Sequence, residues 1–101
     1  MEKRSSNRVC INDEITVFTK DGYFRAVLEN ISACGLFLRT NKQIVIGEMI
    51  ELTIPLTYSP KNIRVDVVAV RVVDDGVAFK FQVIDDNAQS ALLHLLDGAY
   101  T

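Results

Sequence analysis

From Glu14 onward the apolar residues of this chain return at every second position, and that period restricts its possible folds more than any other feature. Successive side chains of a strand point to opposite faces, so a period of two marks half-buried strands; a helix would space its apolar residues by three and four. Ile15, Val17 and Thr19 share one face. After the turn dipeptide Asp21-Gly22, Phe24, Ala26 and Leu28 repeat the pattern, which makes a hairpin of the first two strands. Leu36 and Leu38 open a third strand behind Gly35. Ile50, Leu52, Ile54 and Leu56 alternate with Glu51, Thr53 and Pro55 in a fourth, which the proline ends or confines to an edge. In the fifth, Ile63, Val65 and Val67 are in phase while Val68, Val70 and Val72 take the opposite phase, and this predicts a bulge that turns the inward face by one residue. Asp74-Asp75-Gly76 reverses the chain into a sixth strand, in which Val77, Phe79, Phe81 and Val83 alternate with Ala78, Lys80 and Gln82.

The period changes after the sixth strand. Asp86 stands three residues before Gln89 as a capping pair, and Ala88, Ala91, Leu92, Leu95 and Leu96 lie on one helical stripe that Gly98 ends. A helix is expected over about 87–97. With 101 residues, 49% of them apolar, the chain can fill one core but not two. Six short strands make poorly filled sandwiches, so the expected fold is mainly β: a six-stranded antiparallel barrel, split on one side, with the C-terminal α-helix over the opening. Residues 1–12 are expected to form a flexible arm and residues 13–101 the single domain.

Composition narrows the function. No run of roughly 20 apolar residues is present, so insertion in a membrane as a helix is not expected. The opening MEKRSSNRV lacks an export signal, and the cytoplasm is the expected compartment. A net charge of -2 argues against binding DNA or RNA through phosphate neutralisation alone. Lys3, Arg4 and Arg8 against Glu2 nevertheless give the first eight residues a side-chain charge of +2, which leaves -4 on the rest of the chain. Cys10 and Cys34 form no metal or redox motif and read as small packing residues. The single histidine, His94, falls off the helical stripe and reads as a surface residue. Asp74-Asp75 and Asp85-Asp86 sit where turns and caps use aspartate, so no catalytic residues, metal ligands or cofactor are expected.

Two segments remain, and both suit an anionic ligand. Arg4-Ser5-Ser6-Asn7-Arg8 carries two guanidinium groups, whose forked donors match phosphate and whose planes stack on purines. Asn30-Ile31-Ser32-Ala33-Cys34-Gly35, between the second and third strands, offers an amide, a hydroxyl and a glycine able to adopt positive φ. A turn and a solvated tail account for each segment separately. The pattern [DN]-x-S-x-x-G, however, is expected only about 0.03 times by chance in a chain of this composition.

At these residues the sequence resembles the PilZ domain family, bacterial modules that bind the second messenger cyclic di-GMP. Arg4 to Arg8 is similar to the family's R-x-x-x-R and Asn30 to Gly35 to its [DN]-x-S-x-x-G. G-L-F-L, G-E-M-I-E-L-T-I-P-L and G-V-A-F-K-F also fit, and the likeness runs nearly the whole length. The resemblance implies that Arg4 and Arg8 embrace phosphates and guanines, that Asn30 and Ser32 contact the ligand, and that Gly35 permits the turn. It also makes Lys3, just before the arginine motif, a residue that influences how many ligands bind. The implied function is a cyclic di-GMP receptor without enzyme activity, whose arm changes conformation and signals to a downstream protein. The alternative is an adaptor with the same fold that binds no nucleotide.

Overall fold

The structure, a computed structural model, describes residues 8–55 and 62–82 together with Asp86, Gln89, Ser90 and Leu93. Six strands are formed: β1 (Val9–Thr19), β2 (Gly22–Ile31), β3 (Gly35–Arg39), β4 (Met49–Pro55), β5 (Asn62–Val73) and β6 (Gly76–Phe81). They close into a barrel in the order β1-β2-β3-β6-β5-β4, with every neighbouring pair antiparallel. Mainly β and six-stranded, the fold is of the class expected from the alternation. The helix expected over about 87–97 lies almost wholly outside the described residues, as do Lys3, Arg4, Leu56, Val83 and His94.

The alternation works as a burial code. Ile15, Val17, Ala26, Leu28, Leu36, Leu38, Ile50, Leu52, Ile54, Ile63, Val65, Val67, Val77 and Phe79 all point into one core. Burying each of the larger ones contributes roughly 1.5–3 kcal/mol relative to exposure. Ile44, from the β3–β4 connection, adds to the core. Two-residue turns join β1 to β2 and β5 to β6, since Thr19 faces Gly22 and Val73 faces Gly76. Gly22, at φ 138°, holds a conformation that other residues rarely adopt. β4 runs to Pro55, which pairs with Asn62 at the start of β5.

Three expectations are corrected. The inward phase of β5 continues through Ala69, which is buried, and the register shifts only between Ala69 and Arg71. The expected bulge is therefore present, with Val70 as the extra, exposed residue; Val72 takes the switched phase opposite buried Val77 but, next to the hairpin tip, remains 45% exposed. Their β-branched side chains suit the extended hairpin whether or not they are buried, and small Ala69 gave a weak signal of the true phase. Cys10 and Cys34 are both exposed rather than packed in the core. β1 starts at Val9, so the last four residues assigned to the arm are strand, paired as Val9 with Ile31 and Cys10 with Asn30.

Closure depends on a short seam. β1 and β4 share three register pairs, Thr16–Thr53, Val17–Leu52 and Phe18–Glu51, whereas β1 and β2 are paired along nearly their whole length. The start of β1, the end of β2 and the start of β3 meet at one end of the barrel, and the hairpin tips lie at the other.

Candidate functional site

Two irregularities in the ladder bring the polar residues of the two motifs together. Leu28 and Ile31 are both fully buried although they stand three positions apart, and an unbroken strand would place them on opposite faces. The break is an extra residue in β2: Leu28 faces Leu38, but Asn30 faces Phe37. Ile31 therefore turns inward, and Asn30 turns away from the core beside its exposed partner Cys10. β1 matches the bend with its own extra residue between Cys10 and Asp13, where Asn12 has φ 60°. Asparagine tolerates that left-handed conformation better than most residues.

This corner lets Arg8 reach across β1 and β2. Its Nη1 donates to Asn30 Oδ1 at 2.7 Å, a charge-assisted hydrogen bond between residues 22 apart in sequence. Arg8 is exposed and Asn30 partly so. Among the described residues Arg8 bonds only Asn30, and its other guanidinium donors and planar face suit an anion or a flat ring.

Ser32 and Gly35 play different parts. The Ser32 N–H donates to the Gly35 carbonyl at 2.8 Å, and its hydroxyl accepts from the Cys34 N–H at 3.2 Å and donates to the Gly35 carbonyl at 3.4 Å. Ser32 is buried, only 2% exposed, so its side chain staples the turn from within. Gly35 is needed for space and not for unusual backbone geometry. It is not among the residues with positive φ, contrary to the expectation, but a Cβ there would collide with the Phe79 carbonyl oxygen and lie 3.1 Å from Lys80 Cα. The turn is pressed directly against β6, and the Phe81 N–H donates to the Cys34 carbonyl at 3.0 Å.

Of the expected site residues, the structure brings Arg8 and Asn30 into contact and places Ser32 and Gly35 in the adjoining turn. Sequence reading missed Asn12, whose only signal is an asparagine that breaks the apolar alternation at the head of β1. It also missed the exposed thiols: Cys10 faces Asn30, and Cys34 lies within the motif turn.

A sequence comparison with curated proteins gives no match. Among solved structures, the Bacillus subtilis inhibitor of motility MotI/DgrA superposes with a TM-score of 0.80 at 19% identity. The similarity covers 96% of this chain and 51% of that one, so the present chain spans about half of it. The PilZ domain of CeSA from a cellulose-synthesizing bacterium gives a TM-score of 0.75 at 13% identity, covering 94% and 99% of the two chains. The PilZ domain of YcgR from Escherichia coli, solved with c-di-GMP, gives 0.71 at 14% identity and covers 97% and 92%. Identities this low establish the fold alone. A comparison with protein families matches residues 2–98 to the PilZ domain, a span that holds both motifs and the whole barrel. With the motif residues meeting at one end of that barrel, the chain belongs to the PilZ domain family.

Proposed function

We propose that this chain is a receptor for cyclic di-GMP that binds the nucleotide at the Arg8–Asn30 corner and passes the signal to a protein partner. The observation that carries the reading is the 2.7 Å hydrogen bond from Arg8 to Asn30, which joins the two motifs. Arg8, with Arg4, supplies charge for the phosphates and a stacking surface for guanine. Asn30 supplies an amide able to read a base edge or hold a phosphate. Ser32 contributes through the shape of the turn, which its buried hydroxyl maintains, and Gly35 through close contact with β6. Lys3 adds a further cation next to Arg4 and bears on the number of ligands bound. No bond of the ligand is broken; the function is recognition in the cytoplasm, coupled to a change in the arm.

Calorimetric titration with cyclic di-GMP tests this directly. Saturable binding is expected, and Arg8→Ala is expected to reduce it at least tenfold, because the doubly negative ligand loses one of its cationic partners. No heat at high micromolar ligand, or unchanged binding by Arg8→Ala, rejects the reading.

A further inference from the structure

From the β1–β2 hairpin tip across the outer face of the barrel runs an ordered row of side chains that the proposed nucleotide site does not use. Register pairs align Tyr23 with Phe18, Phe18 with Glu51, and Glu51 with Asp66. The row runs across β2, β1, β4 and β5 as two aromatic rings followed by two carboxylates. The rings touch, with centroids 6.1 Å apart and planes tilted by 54°, yet Tyr23 is 72% and Phe18 40% exposed. Met49, beside them on β4, is 56% exposed. Pairing of β1 with β4 stops at Phe18–Glu51, and beyond it the strands part around an open cleft of about 260 Å³ between Phe18, Lys20, Met49 and Asp66.

The carboxylates are the informative half of the row. Like charges directly opposite each other in a ladder oppose folding. Arg64 pairs with Glu51 at 2.9 Å; Asp66 has no ion pair among the described residues, with Lys20 lining the same cleft but not bonded to it. Aromatic and methionine side chains left in water beside an under-neutralised acidic pair have the composition of an interface that has not met its partner. An anionic lipid surface or a nucleic acid would be repelled by the acidic half.

We propose that this row docks a segment of a partner protein presenting apolar side chains next to arginine or lysine. The apolar groups cover Phe18, Tyr23 and Met49, and the cation completes the Glu51–Asp66 pair. The surface does not depend on the nucleotide reading, so it is tested without nucleotide.

The experiment is an amide NMR titration of the full chain with the synthetic peptide Leu-Arg-Leu-Arg-Leu-Arg, with Leu-Glu-Leu-Glu-Leu-Glu as the charge-reversed probe. Shift changes are expected at Phe18, Tyr23, Met49, Glu51 and Asp66, for the arginine peptide only. Affinity should fall at least about fivefold in Glu51→Gln/Asp66→Asn and in Phe18→Ser, and stay unchanged in Glu14→Gln on the same face of β1. The charge-removing double variant keeps every apolar contact, so it tests the proposal even if Phe18→Ser unfolds. Shifts centred on Arg8 and Asn30, equal binding of the two peptides, or full affinity in the double variant would overturn it. So would self-association of the chain through this row, which would make the occupant a second copy.

Discussion

Replacing Gly35 by alanine adds one methyl group, and the structure indicates that this methyl should be costly. The new Cβ would collide with the Phe79 carbonyl oxygen and stand 3.0 Å from the carbonyl carbon and 3.1 Å from Lys80 Cα. All three are backbone atoms of β6, so no rotamer change relieves the clash, and β3 must move away from β6. Overpacking of this kind costs about 1–3 kcal/mol. The movement also strains the adjoining bond from the Phe81 N–H to the Cys34 carbonyl, 3.0 Å long, worth a further ~0.5–1.5 kcal/mol. The total, roughly 2–4 kcal/mol, corresponds to a fall in Tm of about 8–30 °C for a domain near this size. Gly47→Ala is the comparison: its Cβ meets nothing within 4 Å and only the positive φ of 94° opposes it, at about 1–2 kcal/mol. Thermal denaturation followed by circular dichroism measures both. If Gly35→Ala shifts Tm by less than about 3 °C, or by less than Gly47→Ala, the close approach of β3 and β6 is not what requires glycine.

Other substitutions separate stability from binding. Asn30→Ala should weaken cyclic di-GMP binding in calorimetry while leaving Tm within a few degrees, since the bond it loses is exposed. Leu28→Ala removes a fully buried side chain at the start of the β2 bend and should cost about 2–5 kcal/mol in urea denaturation. Arg64→Ala breaks an exposed ion pair with Glu51 and should change stability by no more than about 1 kcal/mol in the same assay. Both thiols should react with an aromatic disulfide reagent in the native protein without denaturant, because Cys10 and Cys34 are exposed; a native protein that reacts only after unfolding contradicts that placement.

The readable parts of this chain were those governed by local rules. Alternation along Ile50, Leu52 and Ile54, and along Ile63, Val65 and Val67, marked the inward faces because one side of a barrel strand must leave water. Asp74-Asp75-Gly76 marked a hairpin because a tight reversal needs those residue types. The same local logic failed where exposure depended on the position of another strand. Cys10 looked apolar enough for a core, yet its partner Asn30 is turned outward by the extra residue in β2. Val70 looked inward-facing, yet it is the extra residue of the bulge and lies in solvent, while Val72 faces buried Val77 but is left partly exposed near the hairpin tip. Gly35 was read as a turn glycine able to adopt positive φ, whereas the structure requires glycine there because Phe79 of β6 approaches it closely.

The sequence by itself determined that the chain makes short strands, where most of them turn, and that two polar motifs stand on either side of the first hairpin. Only the tertiary structure decided that Arg8 and Asn30 touch, that Ser32 faces inward to brace a turn, and that two aromatic rings line up with two carboxylates across four strands. The reason is physical: side-chain period is a property of one strand, whereas bulges, seams and cross-strand rows arise from register between strands, and register is settled only when the whole core packs.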